Sequence, residues 1–271
     1  MLKLFYITNN PDVAEIAQDA GVDRIFVDME YIGKEERQPN IDTVKNHHTI
    51  DDVMNIRNVI DKSDLLVRVN PIHHNSKQEI DAVINANADI IMLPMWKTPD
   101  EVRAFVQMVD GRVKTMLLLE TEEAVQCIDE VLEIEGIDEI HIGLNDLSLS
   151  QGKKFMFELV TDGTVDKLAE KIRAENIPFG FGGVGRVFQN NLLPAEYILA
   201  EHYRLGSSMA ILSRAFCNTA KINNLNEIKN IFEEGIRQNR EYEKTLMSKT
   251  DEFFKNKHKE TAEIIQKIVS K

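Results

Sequence analysis

No run of about 18 consecutive apolar residues, the length a membrane helix needs, occurs in this 271-residue chain. The opening Leu2-Lys3-Leu4-Phe5-Tyr6-Ile7 has neither a basic leader nor a small-residue cleavage site. Membrane insertion and export are therefore not expected, and the protein is read as cytoplasmic. Cysteine is scarce: Cys127 and Cys217 are the only two and share no CxxC spacing, which excludes a disulfide framework and a cysteine zinc site. Cations are the minority, 32 Lys+Arg against 45 Asp+Glu for a net charge of −13. Phosphate neutralisation needs clustered Lys and Arg, so nucleic acid is not an expected partner. A glycine-rich turn after the first strand is also missing. The segment reads Thr8-Asn9-Asn10-Pro11, which disfavours a doubly wound dinucleotide-binding sheet.

What is present is a repeated alternation of short β-branched runs with amphipathic stretches. Strands are expected at Leu2–Thr8, Arg24–Glu30, Leu65–Asn70, Asp89–Met95, Lys114–Thr121, Glu139–Leu144, Pro178–Gly183 and Tyr203–Ala210. Helices are expected at Pro11–Ala20, Ile50–Asp61, Lys77–Ala86, Pro99–Val109 and Glu122–Leu132. Runs such as Ile90-Ile91-Met92-Leu93 and Met116-Leu117-Leu118-Leu119 are apolar at consecutive positions, as in strands covered on both faces. Eight such units over residues 1–222 fit a (β/α)8 TIM barrel.

Residues 223–271 form a Lys- and Glu-rich stretch without proline, with Ile228, Ile231, Phe232 and Ile236 at helical spacing. It reads as a C-terminal helical extension. Two readings stay open: a final barrel helix with a solvated tail, or an arm packing Phe253, Phe254, Ile264, Ile265 and Ile268 on a neighbouring subunit. The second makes a homo-oligomer the expectation.

Barrel chemistry sits at the C-terminal ends of the strands. Strand two ends in Asp28-Met29-Glu30-Tyr31, strand three in Arg68-Val69-Asn70, strand five in Glu120-Thr121, and strand six leads into Asn145-Asp146. Residues two apart on a strand share a face, so Asp28 pairs with Glu30 and Arg68 with Asn70. Inward-facing, these ends gather four carboxylates and one arginine, for which a hard divalent cation is the simplest partner. His47-His48 and His73-His74 follow strands two and three and could reach the same mouth, whereas His141 lies within a strand and reads as packed. The run Phe179-Gly180-Phe181-Gly182-Gly183-Val184-Gly185-Arg186, with Ser207 near strand eight, suits either an anion-binding pair of loops or close packing in a narrow barrel.

The segments Leu118-Leu119-Glu120-Thr121-Glu122-Glu123-Ala124, Gly136-Ile137-Asp138, and Ile142-Gly143-Leu144-Asn145-Asp146-Leu147-Ser148 with Gly152 resemble the metal-site signature of the HpcH/HpaI aldolase and citrate lyase beta-subunit family. Asp28-Met29-Glu30, Arg68-Val69-Asn70 and Ala88–Met95 match as well. The resemblance covers roughly residues 12–215 and implies a Mg²⁺- or Mn²⁺-dependent barrel enzyme that makes or breaks a carbon–carbon bond next to a 2-oxo acid or a thioester. It implies Glu120 and Asp146 as metal ligands and Arg68 as the cation facing an enolate. It further implies Asn145 and Asp146 amides on the substrate carboxylate, with Asp28 and Glu30 ordering metal-bound water. Gly182, Gly183, Arg186 and Ser207 complete the expected substrate contacts. The chain departs from the aldolase pattern at Tyr31, where a histidine commonly stands, which leaves Tyr31, a loop histidine or a metal-bound water as the base. A citryl- or malyl-CoA-type lyase and a barrel that binds without cleaving are the rival readings.

Overall fold

In the computed structural model of the chain, residues 1–33 and 48–270 are described; His47 and most of the connection from Tyr31 to Thr49 lie outside them. Eight parallel strands, β1 (Lys3–Ile7), β2 (Arg24–Asp28), β3 (Asp64–Arg68), β4 (Ile90–Leu93), β5 (Lys114–Leu119), β6 (Glu139–Ile142), β7 (Phe179–Val184) and β8 (Met209–Leu212), close in chain order into a barrel, β8 pairing back onto β1. The helices between them are α1 (Pro11–Asp19), α2 (Ile50–Val59), α3 (Ser76–Asn85), α4 (Pro99–Val109), α5 (Glu122–Gln126), α6 (Ile128–Leu132), α7 (Leu144–Ser150), α8 (Glu158–Thr161), α9 (Thr164–Ala174) and α10 (Ala195–Leu205). Two longer ones follow β8: α11 (Leu225–Leu246) and α12 (Asp251–Val269). None of the described helices is long and apolar enough to cross a membrane.

Local sequence starts these helices where the pattern placed them. Asn10 accepts the Val13 N–H ahead of Pro11, and Thr98 and Glu101 form a reciprocal capping box ahead of Pro99. The eighth strand departs from expectation. Gly206 adopts φ +72°, its N–H caps α10 on the carbonyls of His202 and Tyr203, and β8 begins only at Met209. The segment read as a strand from Tyr203 is thus the last turn of a helix and its cap.

Period-2 alternation sorts the barrel interior into layers. On β2 the inward series is Arg24, Phe26, Asp28; on β5 and the residue after it, Met116, Leu118, Glu120; on β6, Glu139 and His141. The apolar middle layer comprises Phe5, Phe26, Leu66, Ile90, Met92, Met116, Leu118 and Met209, separate from the larger core beneath the helices. At the N-terminal ends Arg24 is fully buried over the Phe5 ring, and its Nη2 donates to Glu139 Oε1 at 2.6 Å. Burial alone would raise the Glu139 carboxyl, but the Arg24 hydrogen bonds and charge hold it below the ordinary range.

The stretch after residue 222 folds back on its own barrel. α11 packs against α1 and α10 and closes the helical ring, and α12 lies along α10 and α8. Ile228, Phe232, Ile236, Leu246 and Ile265 join the main core, and Phe253, Phe254, Ile264 and Ile268 pack at its edge. The apolar face that suggested a neighbouring subunit is therefore met by the chain itself. Buried Glu243 on α11 accepts the Leu2 N–H at 2.7 Å, and Arg240 reaches the Leu2 carbonyl, tying α11 to the start of β1.

Removing one partner of a buried ion pair strands the other charge and typically costs about 3–5 kcal/mol. Glu139→Ala is expected to lose stability of that order in urea unfolding. Because the Glu139 carboxyl titrates low in the folded state, its contribution is present at neutral pH and fades as pH falls through that range. A loss under about 1 kcal/mol at pH 7 would place the pair outside the stabilising core.

Candidate active site at the barrel mouth

The β2–β3 register sets Asp28 directly beside Arg68. Their side chains form a bidentate pair, Arg68 Nε to Asp28 Oδ1 and Nη2 to Oδ2, each at 2.8 Å, while Arg68 Nη1 lies 3.3 Å from Glu30 Oε2. Asp28 Oδ1 also accepts the Glu30 N–H at 3.2 Å, fixing the turn that brings Glu30 inward. Asn70 accepts the N–H groups of Tyr31 and Ile32 at 3.0 Å each, and its amide donates to Glu79 at 2.7 Å. Two strand ends are thereby locked around one guanidinium.

Glu120, one residue beyond β5, is 3% exposed. Its Oε1 accepts the N–H of Met95, a non-glycine residue at φ +53°, and its Oε2 faces Gly143. A Cβ at Gly143 would sit 2.8 Å from the Glu120 Cβ and 3.0 Å from Oε2, so the carboxylate occupies space that only glycine leaves open. Burial pushes the Glu120 carboxyl well above the usual range; the charges of Glu30 and Asp146 push it further, against the pull of Arg68 and the Met95 N–H. In the other direction, burial would lower the Arg68 guanidinium, but Asp28, Glu30 and Glu120 together raise it well above its ordinary value.

A cavity of about 670 Å³ opens on this cluster and is lined by Asp28, Arg68, Glu120, Asn145 and Asp146. His48, the first described residue on the far side of the loop after β2, lines it too, and its Nδ1 accepts the Asp28 N–H at 3.0 Å. His141 forms part of the floor: its Nε2 lies 3.1 Å from the Gly182 carbonyl, and burial pulls its pKa down to about 4, so it stands there as a neutral ring.

The sequence profile of HpcH/HpaI aldolase/citrate lyase matches residues 2–159, more than half of the chain. The chain belongs to this family. Among solved structures it is similar to an HpcH/HpaI aldolase from Desulfitobacterium hafniense DCB-2, at 16% identity over 84% of this chain and 93% of that one with a TM-score of 0.61. It is similar to an HpcH/HpaI aldolase/citrate lyase family protein from Burkholderia cenocepacia J2315, at 15% identity over 84% and 95% with a TM-score of 0.62. It is similar also to citrate synthase SbnG, at 17% identity over 78% and 85% with a TM-score of 0.59. At such identities the likeness shows the fold. No curated protein sequence matches.

Set against the HpcH/HpaI resemblance, the expected site residues divide. Asp28, Arg68, Glu120, Asn145, Asp146, Gly182 and Gly183 line one cavity, with Glu30 buried behind Arg68. Tyr31 is 58% exposed and does not line it. Arg186 lies against α11, where a Cβ on Gly235 would meet its Cδ at 2.9 Å, and is also absent from the lining. Ser207 precedes β8, so it lies at the opposite end of the barrel, hydrogen-bonded to His202 at 2.8 Å. The late start of β8 displaces it and puts Ser213 and Arg214 at the mouth instead, two residues the sequence reading missed. Their signal was the Met-Ala-Ile-Leu run just before them. His73 turns to Ser76 and the Pro71 carbonyl and stays out of the cavity. Of the glycines, Gly180 answers to packing: a Cβ there would come within 2.4 Å of the Met209 carbonyl oxygen.

The donor set fits a hard divalent cation. Among the described residues, Asp28, Glu30, Glu120 and Asp146 stand at the mouth with the Arg68 guanidinium, which Asp28 clamps on two nitrogens, and burial together with the neighbouring acids raises the Glu120 carboxyl. Among the described residues no three His, Cys, Asp or Glu side chains form a ready cage. Mg²⁺ is commonly held by one or two carboxylates, with water and substrate oxygens completing its shell.

A carboxyl whose pKa rises on folding costs stability above its ordinary pKa, and the cost is relieved as pH falls through the raised value. Glu120→Gln keeps the Met95 contact and removes the charge. In metal-free protein at pH 7 it is expected to raise Tm by roughly 2–4 °C for each kcal/mol regained. A lower Tm in calorimetry would mean that Glu120 is satisfied without a cation.

Proposed function

We propose that this member of the HpcH/HpaI aldolase/citrate lyase family is a divalent-metal-dependent carbon–carbon lyase acting through the enolate of a pyruvate-type 2-oxo acid. The observation that carries the reading is Arg68, held rigid by Asp28 and Glu30 while it opens onto the same cavity as Glu120 and Asp146. Glu120 and Asp146 would hold Mg²⁺ or Mn²⁺, which when bound supplies a Lewis acid for the 2-oxo carboxylate. The similar fold of a citrate synthase, an enzyme that by its name forms a carbon–carbon bond, is in keeping with this chemistry.

In the cleavage direction, the substrate is a 4-hydroxy-2-oxo acid. The 4-hydroxyl proton leaves to a base, the C3–C4 bond breaks, C4 departs as an aldehyde, and the electron pair remains on C3 as an enolate that later takes a proton. Arg68 would face the negative charge that develops on the 2-oxo oxygen, and its planar fork, fixed by Asp28, would need no reorientation during the reaction. Asn145 and Asp146 line the cavity from the first turn of α7, where backbone N–H groups lack acceptors within the helix and suit the substrate carboxylate.

His48 takes the role of proton carrier that Tyr31, turned to solvent, leaves vacant. Accepting the Asp28 N–H at Nδ1 orients the ring and, in the neutral form, assigns its proton to Nε2. A positioned general base contributes typically about 10²–10⁴ in rate.

A retro-aldol panel of 4-hydroxy-2-oxo acids, coupled to pyruvate detection, is expected to give product that EDTA abolishes. CoA thioesters run in parallel address a citryl- or malyl-CoA lyase, and silence across both panels would leave a binding barrel as the standing interpretation. Arg68→Lys is expected to retain metal affinity and lose about 10²–10³ in kcat, since a point charge does not reproduce the fork. His48→Gln, which can still accept the Asp28 N–H, is expected to fold normally and lose at least about 10² in kcat. Rates equal to wild type would remove either residue from its role.

A further inference from the structure

The turn after β2 is held by the end of β3. Four successive N–H groups follow Asp28, and each has an acceptor: Met29 donates to the Arg68 carbonyl at 2.9 Å, Glu30 to Asp28 Oδ1 at 3.2 Å, and Tyr31 and Ile32 both to Asn70 Oδ1 at 3.0 Å. Glu30, between the clamped Met29 and Tyr31, is buried and brings Oε2 to 3.3 Å from Arg68 Nη1. Two of the four backbone bonds that place Glu30 therefore end on one side-chain oxygen, that of Asn70.

Asn70 is in turn oriented by a helix of the outer ring. Glu79, in the first turn of α3, accepts the Asn70 side-chain N–H at 2.7 Å, and its two oxygens share the Asn70 backbone N–H at 3.3 Å each. Two N–H donors on one side of the amide and a carboxylate on the other admit a single orientation of it. The link from Asn70 to α3 is short: Pro71 follows directly, and the Ser76 hydroxyl accepts the His73 N–H at 2.8 Å, which keeps the first turn of α3 close to the strand end. A charged acceptor on the amide N–H polarises the whole group and makes Oδ1 the stronger acceptor for Tyr31 and Ile32. Neither Asn70 nor Glu79 lines the cavity.

Building on the reaction proposed above, we propose that Glu79 is a positioning residue for it, acting through Asn70 on the turn that carries Glu30 and so on the guanidinium that faces the 2-oxo acid. Asp28 fixes two nitrogens of Arg68, and the Glu79–Asn70 relay sets whether Glu30 holds the third. Glu79→Gln keeps a carbonyl oxygen for the two Asn70 N–H groups, whereas Glu79→Leu fills similar space with no acceptor.

The test compares full-length wild type with these two variants by two readouts: amide hydrogen exchange of the metal-free protein, resolved by residue, and calorimetric binding of oxalate in the presence of Mn²⁺. Glu79→Leu is expected to lose about tenfold or more in protection at Tyr31 and Ile32 and to weaken oxalate about tenfold, with affinity for Mn²⁺ alone within about threefold of wild type. Glu79→Gln is expected to recover both. Protection at Val69, whose N–H donates to the Met92 carbonyl between β3 and β4, stays at its wild-type value and shows the barrel intact. Undiminished protection at Tyr31 and Ile32 in Glu79→Leu overturns the relay. Lost protection with oxalate affinity unchanged, or a Glu79→Gln variant that restores neither, overturns the positioning role. Wild type that binds no oxalate overturns the 2-oxo acid reading and with it a role for Glu79 in that chemistry, while the exchange data still decide the relay.

Discussion

The bidentate pair between Arg68 and Asp28 is the contact on which the site depends. It follows from strand register: β2 and β3 pair with Asp28 against Arg68, and a one-residue slip of either strand would turn its side chain into the helical layer and part the two. With the fork of Arg68 committed to Asp28 on two nitrogens, its third nitrogen and outer edge are directed at Glu30 and the cavity. The same aspartate orients His48 through its backbone N–H and Glu30 through its side chain. One pair therefore sets the position of a cation, an imidazole and a second carboxylate.

The electrostatics built on that pair are unfavourable for the protein alone. Glu120 is buried beside Glu30 and Asp146 with only partial relief from Arg68, and its carboxyl is held high as a result. Proteins tolerate such a cost where function requires it. The opposite end of the barrel provides the contrast: Arg24 and Glu139 are also buried but paired with each other, with Asp64 3.6 Å from Arg24 and Lys3 3.5 Å from Glu139, and the Glu139 carboxyl is held low. The same fold thus carries a buried ion-pair cluster at its base and an acid-rich cluster at its mouth, where the cavity of about 670 Å³ opens.

The barrel was legible because several strands are short, doubly covered apolar runs alternating with amphipathic helices, and the strand-end rule then led to Asp28, Arg68, Glu120 and Asp146. The eighth strand was misplaced because Tyr203-Arg204-Leu205 reads as β-prone, whereas Gly206 at positive φ ends a helix there; Ser207 was carried to the wrong end of the barrel and Ser213 and Arg214 were missed. Arg186 was placed by its position after β7, but its stem packs on Gly235 of α11, a contact between residues far apart in sequence. His48 was one of four loop histidines of equal standing, and only the tertiary hydrogen bond to Asp28 separates it from His73. Strand periodicity encodes the barrel and its inward-facing ends, while loop side chains reach or miss the mouth according to packing that no local pattern records.

The proposed chemistry requires the acid cluster around Arg68 to hold a cation that in turn receives a 2-oxo acid. The most direct measurement is a calorimetric titration of Mn²⁺ into metal-free protein, with and without oxalate, an unreactive mimic of the pyruvate enolate. Mn²⁺ is expected to bind, oxalate to tighten it, and both effects to vanish in Glu120→Gln. Mn²⁺ affinity that is absent in wild type, or indifferent to oxalate, would contradict it.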